Sequence, residues 1–357
     1  MGSKNNSHNY GENLLKDKKF TKFSFFGKEL EKSCLFALCN EYYKKTDDYF
    51  KRLGFTYGGP LCLAFIEWFY PFLKENKFSD VLFISRDGWI LKKVFDILYP
   101  NSETKPHYIY ASREICKNVD FQEYKKYLEK QNIIGKKIAL VDMVAKNYTA
   151  HNFLQQFFKE VLTGYYFRLM KNNKNLLCYE YEQGSRIYNW DFVEFLITAP
   201  EYPGKDIKNE QIIYEEDNEF EKIRKNIYVK ISDGICAFIR AFKNKYHEDK
   251  YLNLDNYFVV NWINSLWSNL TKQDLFYLSS VYFTTDHNLK EYKPLITKNF
   301  YLFCNIINSL PFLSLKCDNA TVEIRLFNKI AIFKRIIIGQ RKIFYFWKIP
   351  IFCHNIK

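Results

Sequence analysis

Ser85-Arg86-Asp87-Gly88 closes the apolar run Val81 to Ile84, and Asp142 closes a second apolar run, Ile138 to Val141, ahead of Lys146-Asn147-Tyr148-Thr149. In the first loop Gly88 lets backbone approach a ligand, the following helix start offers unpaired amides, and Arg86 adds a forked cation, so the combination suits an anion such as phosphate. In the second, Asp142 can hold ribose hydroxyls or Mg²⁺, while Lys146, Asn147, Tyr148 and Thr149 can wrap a phosphate. Blander chemistry is open at each place. Arg86 and Asp87 could form a local ion pair with a capping carboxylate, and Asp142 and Thr149 could simply cap a helix above a solvated Lys146.

These groups need elements to hold them. The pattern predicts strands over 81–84, Pro106–Ala111 and 138–141, with helices over Trp89–Tyr99 and Ala150–Val161, the layout of an open, mostly parallel α/β sheet that presents its loops at strand carboxyl ends. Gly135-Lys136-Lys137 reads as the turn into the third strand. Upstream, residues 24 to 52 read as one amphipathic helix, and Pro60 as the first turn of a helix to Asn76 with a kink at Pro71. Its Leu61 to Ile66 segment should pack on the sheet, leaving Glu67 and Trp68 at the rim. Asp217 to Lys245 and Asp255 to Ser280 are helical with aromatic stripes. The expected organisation is a helical extension over 1–50, an α/β domain over 51–205, a mostly helical acceptor unit over 206–323, and a basic aromatic tail over 324–357.

The order of these strands and polar loops resembles a type I phosphoribosyltransferase, with Ser85 to Gly88 as pyrophosphate loop and Asp142 to Thr149 as phosphoribosyl loop. Gly54-Phe-Thr-Tyr-Gly-Gly-Pro-Leu61, Phe83-Ile-Ser-Arg-Asp-Gly-Trp89, Tyr110-Ala-Ser-Arg-Glu114, Val141-Asp-Met143 and Glu194-Phe-Leu-Ile-Thr-Ala-Pro200 also resemble a group of bacterial polysaccharide-cluster proteins. Members of that group are often labelled haloacid-dehalogenase-like hydrolases or glycosyltransferases. The resemblance covers about residues 50 to 205. It implies transfer of 5-phosphoribose from phosphoribosyl pyrophosphate to a hydroxyl of a lipid-linked or growing glycan in capsule or lipopolysaccharide assembly, with Mg²⁺ as cofactor and a separate phosphatase removing the 5-phosphate. Ser85, Arg86 and Gly88 would then bind pyrophosphate, Asp142 the ribose hydroxyls, and residues 146 to 149 the 5-phosphate. Arg113 would be a further phosphate ligand, with a salt bridge to Glu114 or Asp87 as its structural alternative. Asp87 would hold Mg²⁺ or accept the hydroxyl proton. Two departures stand against the pattern: Met143 occupies the place of a second acidic residue, and Lys146-Asn147-Tyr148 replaces a small-residue stretch. The phosphatase reading meets a different obstacle, because Ser85 stands where a dehalogenase needs its nucleophilic aspartate. A non-catalytic scaffold is the third reading.

Nine cysteines without a Cys-x-x-Cys spacing fit a reducing compartment, and scattered histidines offer no zinc spacing. The polar, Lys/Asn-rich first 22 residues carry no secretory pattern, so the expectation is cytoplasmic. The net charge is +13, and residues 325–357 hold eight Lys/Arg and no acid. Within them Leu326-Phe-Asn-Lys-Ile-Ala-Ile-Phe333 is echoed by Tyr345-Phe-Trp-Lys-Ile-Pro-Ile-Phe352, with the alternation of strands or hairpin arms. Such a segment suits either peripheral attachment to the anionic inner face of a membrane or ordinary packing on the core. No nucleic-acid motif accompanies the charge.

Overall fold

A computed structural model of the chain describes residues 29–145, 147–169, 176–180, 187, 189–216, 218–246, 254–268, 270–284, 292–296, 313–318, 321–326, 330–338, 341–346 and 349–355. It divides into two units, one from residues 25–185 and 193–259 and the other from 186–192 and 260–357, each taken in its described part.

The first unit is an α/β structure on a five-stranded, all-parallel sheet. Its strands are β1 (Asp80–Ile84), β2 (Lys105–Ile109), β3 (Ile138–Ala145), β4 (Thr163–Leu169) and β5 (Leu176–Cys178), in the order β2-β1-β3-β4-β5. Every residue of β1 is buried, as a central parallel strand covered on both faces requires, whereas edge strand β2 is largely half-exposed. The chain reverses its direction of winding between β1 and β3, and that switch point opens a crevice beyond the strand carboxyl ends. At the opposite edge the turn lysine Lys136 is structural: its Nζ lies 3.3 Å from buried Asp80, which also meets His107 at 2.6 Å.

The helices are α1 (Glu29–Tyr43), α2 (Tyr49–Leu53), α3 (Gly59–Glu75), α4 (Gly88–Leu98), α5 (Arg113–Asn118), α6 (Phe121–Lys130), α7 (Thr149–Gln155), α8 (Trp190–Ile197) and α9 (Glu219–Tyr246). The single helix expected over 24 to 52 is two in its described part, because Asp48 accepts from the amides of Phe50 and Lys51 and starts a new helix. A π-helical turn over Gly54–Gly58 leads into α3, whose Pro60 sits in the first turn and whose Leu61 to Ile66 are all buried. The helix expected over 150 to 161 stops at Gln155. That side chain donates to the carbonyls of Phe158 and Glu160 and accepts from Leu162, drawing the chain out of helical continuation.

The boundary expected at 205/206 does not divide the units. It falls inside β6 (Gly204–Lys208), which forms a short hairpin with β7 (Gln211–Tyr214), and α9 packs against α2 and the π-turn at backbone contact distance. A Cβ at Gly234 would stand 2.1 Å from the Lys51 carbonyl oxygen, and one at Gly54 the same distance from that of Ile231. Reciprocal glycines thus join α9 to the sheet-bearing unit. Gly234→Ala should destabilise by about 1–3 kcal/mol, because the obstructing atom is backbone and cannot rotate aside. A urea midpoint equal to that of the native chain would show that the helices separate cheaply.

In the second unit, α10 (Asn256–Ser268, continuous with the first) and α11 (Lys272–Ser279) are distinct helices, the latter begun by a Thr271/Asp274 capping box. The short strands β8 (Tyr282–Thr284) and β9 (Tyr292–Pro294) pair antiparallel. The tail is an antiparallel meander of β10 (Leu313–Asp318), β11 (Thr321–Leu326), β12 (Ile330–Ile338), β13 (Arg341–Phe346) and β14 (Ile349–Asn355), in sequence order. Each copy of the internal echo straddles the end of one strand and the start of the next. No helix among the described residues is long and apolar enough to cross a membrane.

Candidate active site at the carboxyl edge of the sheet

The β1–β3 ladder ends at Phe83 and Val141, while β3 runs on to Ala145 paired only with β4. Asp142 is therefore inside its strand rather than at its end, yet it is the first residue past the β1–β3 ladder. Here a cavity of about 150 Å³ opens, walled by Ser85 from β1, Ser112 and Arg113 from the β2 side, and Asp142, Asn147, Tyr148 and Thr149 from β3 and the start of α7. Two loops separated by more than fifty residues in sequence converge because β1 and β3 are neighbours.

The capping alternative fails for this cluster. At the N-terminus of α7 the flanking residue is Tyr148, left-handed at φ 55°, without a side-chain cap bond. Asp142 instead accepts from the adjacent Met143 amide at 2.8 Å. Asp87 likewise flanks α4 without capping it. Burial pushes the Asp87 carboxyl up to about 7, the charge of Asp142 adds to this, and Arg86 opposes it. Burial also pushes Asp142 up to about 7 against the Met143 amide and Arg113, with Glu194 adding a smaller upward effect. Asp142 lies in the cavity wall and Asp87 outside it, near enough for the charge of Asp142 to act on it, and carboxyls of this kind can exchange protons near neutral pH.

Arg86 and Gly88 are placed otherwise. Arg86 lies outside the cavity wall, with Nη1 3.5 Å from Glu221 Oε2 on α9, and burial followed by the nearby Arg224 lowers its pKa. A Cβ at Gly88 would stand 2.6 Å from the Phe83 carbonyl carbon, so this glycine serves the approach of α4 to its own strand. Arg113 does reach the cavity, as the first residue of α5. Lys146 lies outside the described residues.

Three polar wall residues carried no functional expectation. Ser112 caps α5 through the Ile115 amide and donates to the Gly204 carbonyl at 2.7 Å. His151 Nδ1 and Tyr166 Oη are 3.1 Å apart; burial lowers the histidine pKa and, with Asp142 nearby, raises that of the phenol, so both are neutral at pH 7. Gly164 makes room for the pair, since a Cβ there would meet the Tyr166 ring at 2.5 Å. The clues to Ser112 and His151 were their positions beside Arg113 and Thr149; Tyr166 lies on a strand that gave no signal.

The carboxyl shifts have a stability consequence. A carboxyl whose folded pKa is raised makes the native state bind more protons than the unfolded chain, so stability falls as pH rises from about 4 to about 7. Asp87→Asn should therefore be more resistant to urea than the native chain at pH 8, with the difference closing toward pH 4. A pH-independent difference would contradict the burial of this charge. Comparison with protein-family models finds no match, and comparison with curated proteins finds none.

Proposed function

We propose that the chain is a glycan-directed phosphoribosyltransferase of the type I kind, moving 5-phosphoribose from phosphoribosyl pyrophosphate to a sugar hydroxyl and releasing pyrophosphate. The observation that carries this reading is the convergence of Ser85 with Asp142, Asn147, Tyr148 and Thr149 on one cavity at the switch point of a parallel sheet. At about 150 Å³ the cavity suits a pentose phosphate end, and is well below the 300–1,000 Å³ in which larger ligands are enclosed.

In the reaction the acceptor oxygen bonds to the anomeric carbon, the bond from that carbon to pyrophosphate breaks, and the hydroxyl proton passes to a carboxylate. The transition state is oxocarbenium-like, so catalysis comes from positioning and from neutralising the leaving group. Asp87, poised near neutrality, receives the proton. Asn147, Tyr148, Thr149 and Arg113 bind the 5-phosphate end, and Asp142 orients the ribose hydroxyls. The donor set also fits Mg²⁺: Asp142 is a hard oxygen ligand whose burial is relieved by a cation, and Mg²⁺ commonly takes one or two carboxylates with substrate phosphates and water. When bound it supplies charge neutralisation at the pyrophosphate.

A second reading, a sugar-phosphate phosphatase, draws on the near-neutral Asp87 two residues past Ser85, the place of a leaving-group acid. Product analysis separates the two. With phosphoribosyl pyrophosphate, Mg²⁺ and glycan acceptors, mass spectrometry should show an acceptor heavier by a phosphorylated pentose, with pyrophosphate in solution. Unphosphorylated pentose on the acceptor, transfer from a nucleotide sugar, or inorganic phosphate released from ribose 5-phosphate would overturn the transferase reading.

A further inference from the structure

We propose that a groove between α1, α2, α4 and α9, separate from the sheet-edge cavity, binds a phosphate-bearing small molecule through Lys93 and Arg240. The groove measures about 530 Å³ and shares no wall residue with the first cavity. That volume is in the range of small-molecule sites and too confined for a protein partner.

Its charge is not balanced from within. Of its two acids, Asp233 is taken by Lys51 at 3.4 Å and Asp96 by Lys92 at 2.8 Å. Close by, Asp48 is held by Lys230 and Glu41 by Lys45, each at 2.8 Å. Lys93 and Arg240 are left without a carboxylate partner among the described residues, Lys93 resting over the Trp89 ring at 3.7 Å. Lys93, from α4, and Arg240, from α9, line the same groove with Cys236. A phosphate can accept from the Arg240 fork and the Lys93 ammonium together. Ile97 supplies an apolar wall, as does Tyr42, whose ring stacks on Phe55 at 4.0 Å.

The walls are set before any ligand arrives. Lys243 Nζ binds the carbonyls of Ile97 and Leu98 at 2.6 and 3.0 Å, fixing α9 to the end of α4. Across the groove, Gly234 holds α9 against the Lys51 backbone. The helices that carry the binding groups are therefore in place before a ligand enters.

Cys236 provides a local reporter. It is half-buried, whereas Cys34, Cys39, Cys62 and Cys178 are buried and Cys116, also half-buried, lies outside the groove. Iodoacetamide labelling of the full chain, resolved by peptide mass spectrometry, is compared with ADP, with inorganic phosphate, and with potassium chloride at matched ionic strength. ADP at about ten times its dissociation constant should slow labelling of Cys236 about tenfold, leaving Cys116 unchanged. Arg240→Glu and Lys93→Glu, both at exposed positions, should each remove that protection, and Asp142→Asn should retain it. Slowing by inorganic phosphate as well would identify the phosphate group as sufficient. Protection that survives Arg240→Glu, equal slowing by potassium chloride or at Cys116, or no slowing by ADP and phosphate would overturn the proposal.

Discussion

Asparagine at position 142 is expected to lower transfer by about two to four orders of magnitude while making the folded chain more stable at pH 8. The substitution is nearly isosteric, and its amide oxygen can still accept from the Met143 amide, so neither a cavity nor a lost backbone bond accompanies it. What disappears is a carboxylate that burial holds near pKa 7 at the wall of the sheet-edge cavity. The native chain keeps this unfavourable charge, and removing it should relieve the strain of burial while removing the group proposed to orient the ribose. Initial rates of pyrophosphate release and urea midpoints at pH 8 test both halves. Near-native transfer would take Asp142 out of the chemistry. Lost transfer with lost stability would make it a structural residue instead.

Arg224→Ala should destabilise the first unit by about 3–5 kcal/mol, the range for leaving a buried charge without its partner. Arg224 and Glu221 are 3% and 1% exposed, and Arg224 Nε donates to Glu221 at 2.7 Å. The same guanidinium binds the carbonyls of Ala199 at 2.9 Å and Glu201 at 2.8 Å, tying α9 to the segment after α8. Alanine would take the guanidinium from all three acceptors, while Glu221 would keep the 3.5 Å contact from Arg86. Arg86→Ala should cost less stability, since Arg224 would still satisfy Glu221. A loss below about 1 kcal/mol for Arg224→Ala, measured by urea unfolding, would mean that water or repacking compensates the carboxylate.

Much of the α/β unit was legible along the chain. The runs Val81 to Ile84 and Ile138 to Val141 are too apolar and too sharply bounded to be anything but buried strands, and both end where polar groups must meet a crevice. The positions of Ser85, Asp142, Asn147, Tyr148 and Thr149 at the edge of the sheet followed from that periodicity. Elements whose limits depend on distant partners were less legible. β3 runs past Val141 because β4 continues to pair with it, and α7 ends early because the Gln155 side chain competes for nearby backbone groups. Similarly, the length of α9 was plain in its pattern, but its place in the first unit rests on glycine contacts made across the fold.

Local residue types therefore determined which runs become buried strands and which polar groups lie near their ends, because burial periodicity and turn chemistry act over a few residues. Direction was decided by the tertiary structure. Ser85 and Arg86 are adjacent in sequence, yet the serine lines the cavity while the arginine meets Glu221, 135 residues further along. A guanidinium at a strand end is chemically suited to a phosphate or to a buried carboxylate, and its own segment cannot choose between them. Packing α9 against α4 brings Glu221 within reach of Arg86, just as the pairing of β3 with β4 brings Tyr166 opposite Asp142. Such encounters depend on which distant segments the fold makes neighbours, so they become visible only when the chain is closed on itself.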